Sequence, residues 1–140
     1  MKNFKLFIIT NLLLFFSFNA FSQCGTEIKK ANTPTSIGIV IYSNDTETLW
    51  NAMRFANYSK NEGDTVCIFL LGKGVELENI VKDDKNVKEQ TEKFLESGGV
   101  ILGCGTCLQS RKNDEPQMCK FSSMKDLYEL IKNNKKILTF

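Results

Sequence analysis

Two cysteines separated by two residues directly follow an apolar stretch of the chain. Cys104 and Cys107 come after residues 100–103, whose apolar composition predicts a short buried strand. A thiol at the end of a strand can be exposed and reached by a partner. Backbone N–H groups converge where a strand leads into a turn or helix, so they can stabilise a thiolate and lower its pKa toward neutrality. The spacing therefore makes sulfur chemistry the leading hypothesis.

The other residue types limit this chemistry. The 140 residues include no histidine, which excludes Cys-His dyads, Ser-His-Asp triads and His-ligated metal sites. The five cysteines are an odd number, and in an oxidising compartment an odd thiol is free, intermolecular or chemically used. A zinc site of Cys67, Cys104, Cys107 and Cys119 fits poorly, because structural zinc usually takes two close pairs of cysteines and this chain has one. We therefore predict no metal and no cofactor.

The start of the chain has the pattern of a secretory signal peptide. Lys2 and Lys5 precede an apolar stretch at residues 6–18 that is too short for a comfortable membrane span. Small residues before position 23 predict cleavage after Ser22. The sequence thus predicts an exported protein, in the bacterial periplasm, with no membrane span after cleavage. A lipid anchor at Cys24 is the less favoured alternative, since the residues before it lack the usual approach to a lipid-modified cysteine.

The predicted cleavage divides the chain into three parts. Residues 1–22 form the signal peptide, residues 23–34 a flexible lead, and residues 35–140 one α/β domain. The signal peptide contains two of the 18 basic residues and none of the 16 acidic ones, so 16 of each remain and the net charge is about zero. A balanced charge offers no basic patch for nucleic acid, and we predict no nucleic-acid partner.

Apolar, β-branched stretches alternate with amphipathic ones along the predicted domain. Residues 36–42 predict a first, central strand, and Asn44, with Glu47 three residues later, is expected to cap the helix that follows. Further strands are predicted at residues 65–71, 100–103 and 137–140, and further helices at residues 75–81, at residues 87–97 and from Ser123 onward. The alternation predicts a three-layer α/β/α sandwich with a mainly parallel sheet, whose sites lie beyond the carboxyl ends of the strands.

The cysteine pair also belongs to a longer pattern. Residues 99–111 contain both cysteines, residues 123–130 form a helical segment, and residues 137–140 form a hydrophobic terminal strand. In order and spacing these segments resemble the DsrE/DsrF-like family of sulfur-relay proteins, and the resemblance extends over residues 36–140. It implies a flavodoxin-like fold that assembles into homotrimers or homohexamers. It also implies that Cys104, at the sulfur-carrying position of the family, holds sulfur as a persulfide.

Several residues near Cys104 are candidates for supporting roles. Cys107 could form a disulfide with Cys104 or attack a persulfide carried on it, and its alternative is a packed thiol. Gly105 leaves room for an incoming sulfur donor. Arg111 could supply positive potential for a thiolate, or could be a solvated arginine on a short helix.

More distant residues could join the same site. Asn44 follows the first strand and could reach the same rim as Cys104, although helix capping also explains it. Cys119 could approach as a third thiol. Relatives commonly have a glycine after the arginine of the motif, where this chain has Lys112, so the loop there could follow a different course.

Three functions from different classes remain open at the level of sequence. The first is an exported sulfur carrier or sulfurtransferase subunit, whose partners are a sulfur donor or acceptor protein or a small sulfur species. The second is a dithiol/disulfide redox protein that uses Cys104 and Cys107, which an oxidising compartment favours. The third is a non-catalytic oligomeric binding module in which the pair is a static disulfide. Export separates this chain from the best-known relatives, which work in the cytoplasm.

Overall fold

A computed structural model describes residues 33–140. The predicted signal peptide, most of the predicted lead and Cys24 lie outside these residues. The described part contains five strands, five α-helices and one 3-10 helix, in the order β1 (Ser36–Ile41), α1 (Thr46–Asn61), β2 (Thr65–Leu70), the 3-10 helix (Gly72–Glu76), α2 (Leu77–Asp83), α3 (Lys85–Glu96), β3 (Val100–Cys104), α4 (Gly105–Gln109), β4 (Lys120–Ser122), α5 (Met124–Asn133) and β5 (Lys136–Thr139).

All five strands run parallel in one sheet, in the order β4-β3-β2-β1-β5. Successive steps from β1 to β4 go in one direction, and α3 packs against both α1 and α2, so these three helices lie together on one face. The step from β4 to β5 goes the other way, and α5 packs against β1 and β2. This arrangement confirms the predicted three-layer α/β/α sandwich.

The position of the first strand differs from the prediction. β2 is the central strand, and β1 lies between β2 and β5. Apolar content alone suggested the central place for β1, but β1 and β2 are similarly apolar, because helices cover both of these inner strands. The terminal strand β5 then adds beside β1 and moves it one place from the centre.

The helix α1 begins one residue later than predicted, and Asp45 caps it. The carboxylate of Asp45 accepts hydrogen bonds from the Thr48 backbone N–H at 2.8 Å and from the Thr48 hydroxyl at 2.7 Å. The predicted cap at Asn44 with Glu47 is therefore wrong. Both Asn and Asp can cap a helix, and the extended backbone of Asp45 makes it the residue before the first helical turn. Asn44 is left to make a different contact.

The last part of the fold contains one predicted feature and one that the sequence did not indicate. Ser123 and Asp126 form the expected capping box at the start of α5. The three-residue edge strand β4, which pairs with β3, was not predicted, because its sequence, Lys120–Ser122, has no β-branched residue and no alternation long enough to detect. Over residues 33–140, none of the helices has the length and apolar character needed to cross a membrane.

Candidate functional site

The cysteine pair lies where the inner strand β3 enters the short helix α4. Cys104 is the last residue of β3, and Cys107 is in the first turn of α4. The Cys104 side chain is 2% exposed, and Cys107 is half-buried. The Cys107 side chain lies close enough to influence the Cys104 thiol electrostatically, and neither cysteine forms a disulfide. The fold therefore holds two reduced thiols within reach of one another.

The electrostatic environment of Cys104 differs from the expectation. Burial raises the pKa of the Cys104 thiol, and its hydrogen bond with the Cys107 side chain raises the pKa further. The backbone N–H groups of Cys107 and Thr106 lower it, as predicted for the end of a strand, but they do not outweigh burial. The predicted shift toward neutrality is thus wrong in direction, because the sequence did not reveal how deeply this thiol is buried. At rest Cys104 is a protonated thiol.

The space beside Gly105 is occupied by an aromatic ring. A Cβ atom added at Gly105 would lie 2.7 Å from Cζ of Phe121. Gly105 therefore permits the close approach of Phe121 rather than leaving an open space for a donor, as the sequence suggested. The Phe121 side chain is itself 48% exposed. Displacement of this ring would open the backbone next to Cys104.

The third candidate thiol, Cys119, packs against the face of β3 that is opposite to the Cys104 side chain. Its Sγ is 2.5 Å from the position of a Cβ added at Gly103. Neighbouring residues on a strand point to opposite faces, so Cys119 lies on the face of β3 opposite to the Cys104 side chain. The site thus brings Cys104 and Cys107 together, and it does not bring Cys119 to them. Cys67 is half-buried within β2.

Cys119 is expected to make stability depend on pH in the alkaline range. Burial, assisted by the negative charge of Glu78, raises the pKa of the Cys119 thiol to about 11. Stability contributed by a group with a raised folded-state pKa is complete below its unfolded-state pKa, about 8.5 for cysteine, and is lost as the pH rises through the folded value. As the pH rises from 8 to 11, the free energy of unfolding should fall by about 1 kcal/mol less in Cys119→Ser than in the unchanged chain. This value allows for the partial exposure of the thiol, which weakens the effect.

Urea unfolding under reducing conditions at several pH values measures this difference. The pH-independent cost of the serine is obtained between pH 6 and 8, where the thiol is protonated in both states. Parallel stability curves for the two proteins up to pH 11 would show that Cys119 does not titrate as described.

Asn44 and Arg111 are joined by a carboxylate that the sequence did not single out. Glu76 Oε1 accepts a hydrogen bond from Arg111 Nε at 2.7 Å, and Glu76 Oε2 accepts one from Asn44 Nδ2 at 2.8 Å. The hydrogen bonds from Arg111 and Asn44 hold the pKa of the Glu76 carboxyl below its usual range. Asn44 follows β1 and Glu76 ends the 3-10 helix after β2, so this chain of contacts connects three strand ends.

Arg111 holds the end of α4 rather than the thiols. Its Nη1 donates to the Cys107 backbone carbonyl at 3.1 Å and lies 3.2 Å from the Ser110 hydroxyl. With its Nε paired to Glu76, the positive charge of Arg111 is largely compensated, and Arg111 is not among the groups that shift the pKa of Cys104. Arg111 therefore reaches the site through the backbone of Cys107.

The loop after α4 keeps a glycine-like course although it contains a lysine. Lys112 has a φ of 57°, and it is the only non-glycine with positive φ in the described range. Its N–H bonds to the Gln109 carbonyl at 2.9 Å, and the Asn113 N–H bonds to the Leu108 carbonyl at 3.1 Å, which closes the helix end. Lys112 thus adopts a left-handed backbone conformation that favours glycine.

No metal-binding group stands out in this part of the chain. Within residues 33–140, no three His, Cys, Asp or Glu side chains are grouped so that they could hold a metal ion. In particular, Cys119 and the Cys104 side chain lie on opposite faces of β3, so the four cysteines considered for zinc do not converge.

A parallel α/β/α sandwich with a CxxC pair where an inner strand enters a helix defines a flavodoxin-like thiol protein. Residues 35–140 match the DsrE/DsrF-like family, which is 106 of the 140 residues. The chain belongs to the DsrE/DsrF-like family. Membership suggests a function of the sulfur-relay type.

Individual proteins give a consistent picture of this fold. The chain is 29% identical over 100 residues to the uncharacterized protein MK0008 of Methanopyrus kandleri, covering 67% of this chain and 83% of that protein. It is similar to the crystal structure of the YchN protein from E. coli, with a TM-score of 0.65 and 17% identity over 77% of this chain and all of that one. It is also similar to BT1422 of Bacteroides thetaiotaomicron, a conserved protein of unknown function, with a TM-score of 0.62 and 25% identity over 76% of this chain and 95% of that one.

Proposed function

We propose that this chain is an exported sulfur carrier that holds a persulfide on Cys104, with Cys107 as the thiol that resolves it. The observation that carries the proposal is the pair of free thiols where β3 enters α4, in a chain of the DsrE/DsrF-like family. Its partners are a sulfur donor or acceptor protein or a small sulfur species. Export follows from the pattern of the first 22 residues.

The loading step is a thiol exchange that needs no outside oxidant. The Cys104 thiolate attacks the outer sulfur of a donor persulfide, R–S–SH. The S–S bond of the donor breaks, R–S⁻ leaves and takes up a proton, and a new S–S bond forms on Cys104. The backbone N–H groups of Thr106 and Cys107, which already favour the charged form of Cys104, stabilise the anionic sulfur as it develops.

The unloading step uses the second thiol or an external acceptor. A thiolate of an acceptor protein can take the outer sulfur, which returns Cys104 to the thiol. Alternatively, the Cys107 thiolate attacks Cys104 Sγ, HS⁻ leaves, and a disulfide joins the two cysteines. The interaction of the Cys107 side chain with the Cys104 thiol supports the second route. Because Cys104 is 2% exposed, a protein partner must first move the side chains around it, and Phe121 is the exposed ring next to Gly105.

Mass spectrometry of the mature protein tests the function directly. The protein is measured intact and as peptides, before and after incubation with polysulfide. One added sulfur, about 32 Da, on the peptide that contains Cys104 is the expected result of the exchange. The intact mass also reports whether the chain starts at Gln23, as export with cleavage after Ser22 requires. A protein that takes up no sulfur while its thiols stay reduced would overturn the proposal.

A redox function is the second candidate, and the same contact between the thiols supports it. Cys104 and Cys107 could alternate between dithiol and disulfide, passing two electrons and two protons to a partner disulfide or thiol pair. Equilibration in glutathione buffers of varied ratio would give a reversible potential in the range of redox proteins. A pair that closes reversibly and never gains 32 Da favours this candidate over the sulfur carrier.

We further propose that the chain forms homotrimers or homohexamers through the exposed apolar face of α5. Met124 and Tyr128 are 58% and 59% exposed, and Ile131 is 47% exposed on the same helix. Three large apolar side chains spaced along one helix face are typical of an interface rather than of a free surface.

Light scattering after size-exclusion chromatography measures this assembly. We expect a mass three or six times that of one chain, and Tyr128→Glu should reduce it to a single chain because it places a charge in an apolar interface. Glu129→Lys, on a different side of α5, is the matched control and should leave the mass unchanged. A single-chain mass for the unchanged protein at all concentrations would contradict the proposed assembly.

A further inference from the structure

A cavity lies beside the thiol site, on the side of α2. It has a volume of about 230 Å³, and its charged lining residues are Glu76, Glu78, Lys82, Arg111 and Lys112. Neither Cys104 nor Cys107 is among its lining residues. A water molecule has a share of about 30 Å³ in the liquid, so the cavity can hold a small polar molecule together with some of its water.

The two carboxylates of the cavity are already occupied by donors. Glu76 accepts hydrogen bonds from Arg111 and Asn44. Glu78 Oε2 accepts one from Asn113 Nδ2 at 3.0 Å, and Glu78 Oε1 accepts one from the Gln117 backbone N–H at 3.2 Å. These two carboxylates therefore stabilise the walls of the cavity, and they can accept few further hydrogen bonds from a ligand.

The cationic groups, in contrast, have donors to spare. Lys82 Nζ makes a single long contact, 3.4 Å to Asn79 Oδ1. Lys112 Nζ has no hydrogen-bond or ion-pair partner among residues 33–140, and Arg111 uses Nε and Nη1 but not Nη2. Three cations against two carboxylates leave a net charge of +1 in the lining. The unused groups are donors and positive charges, which is the chemistry of an anion site.

Lys112 occupies its place at a conformational cost. Its positive φ of 57° is a conformation that L-residues rarely adopt, and glycine would relieve it. Strained residues of this kind cluster at functional sites, where a side chain has a task that a relaxed residue would not perform. Lys112 is one of the residues that line the polar cavity, and its ammonium group has no partner in the described part of the chain.

We propose that this cavity binds a tetrahedral oxyanion, of the sulfate or phosphate class, through Lys112, Lys82 and the free edge of the Arg111 guanidinium. A compact, doubly charged anion matches three cationic residues in the lining of one cavity, whereas a large apolar ligand does not match this polar lining. Sulfate and phosphate groups are both tetrahedral oxyanions, so either fits this site, and they would come from different compounds. The proposal does not depend on sulfur loading at Cys104.

Isothermal titration calorimetry with sodium sulfate and with sodium phosphate, each at ionic strength matched with sodium chloride, tests this site on the mature protein. We expect one site per chain that chloride does not fill. Lys112→Gly removes the ammonium group and relaxes the backbone, so this variant should fold at least as well as the unchanged chain. It should weaken oxyanion binding at least about tenfold, the usual size of a lost charge-assisted contact.

Two further variants separate this site from general attraction to a basic surface. Lys82→Gln should weaken binding by a similar factor, whereas Lys125→Gln, which changes the same charge on the distant helix α5, should leave it unchanged. Tighter binding of sulfate than of phosphate would assign the site to a sulfur oxyanion, and the reverse to a phosphorylated ligand. No binding of either anion at matched ionic strength, or equal binding by Lys112→Gly, would overturn the proposal.

Discussion

Cys104→Ser is expected to abolish sulfur loading, while Cys107→Ser keeps it and prolongs it. Cys104 supplies the nucleophile in the proposed exchange, and a serine hydroxyl cannot replace a thiolate in that step. Without Cys107, the internal route that discharges the persulfide as HS⁻ is missing. We therefore expect the persulfide on Cys104 to persist about tenfold longer or more in Cys107→Ser, because an adjacent thiol reacts at a high effective concentration. Peptide mass spectrometry over a time course after removal of polysulfide measures both effects.

Cys67→Ser is the matched control for these two variants. Cys67 is half-buried in β2, and burial raises the pKa of its thiol, so it should contribute nothing to loading. Circular dichroism and urea unfolding should show that all three variants are folded. Persistent loading of Cys104→Ser, with the added sulfur on Cys107, would reverse the two roles that we assign.

The raised pKa of Cys104 makes this chemistry depend on pH in a defined direction. Burial favours the protonated thiol, so the reactive thiolate fraction at neutral pH is smaller than for an ordinary cysteine. The fraction rises about tenfold for each pH unit below the pKa. A protein whose carrier thiol is protonated at rest is protected from adventitious oxidation, and a partner that opens the site and reduces burial would also activate it.

Local sequence patterns determined the elements that position the site. The β-branched stretches became β1 and β2, the Ser123 and Asp126 pair became the capping box of α5, and the apolar residues before the cysteine pair became β3. Each of these features depends on residues within a few positions of one another. The placement of Cys104 at a strand end followed from such a pattern.

The features that the sequence did not reveal depend on contacts between distant parts of the chain. Glu76 and Arg111 are 35 residues apart, and no local pattern connects them. The direction of the Cys104 pKa shift depends on burial by neighbouring elements. Asn44 and Asp45 are equally suitable as cap residues, so the sequence could not show at which of two adjacent positions α1 begins. The opposite-face position of Cys119 required the three-residue strand β4 to be known.

Gly74→Ala is expected to lower the free energy of unfolding by about 3 kcal/mol, at the upper end of the usual cost of overpacking. A Cβ atom at Gly74 would overlap the backbone carbonyl oxygen of Ile41 and lie 2.9 Å from its carbonyl carbon. Ile41 is the last residue of β1 and is fully buried, so this backbone cannot move without disturbing the sheet. The 3-10 helix must shift instead, and Glu76, two residues after Gly74, would lose its contacts with Asn44 and Arg111.

Gly105→Ala provides the control, because it adds the same methyl group against a different neighbour. Here the added Cβ would meet the Phe121 ring, which is 48% exposed and can rotate away. Gly105 begins α4, where alanine favours the helix by up to about 1 kcal/mol. Urea unfolding should therefore show a loss for Gly105→Ala of less than about 1 kcal/mol, well below that for Gly74→Ala. Equal losses in the two variants would mean that the junction of Gly74 with Ile41 is no more rigid than a surface ring, and that the 3-10 helix does not fix Glu76 at the site.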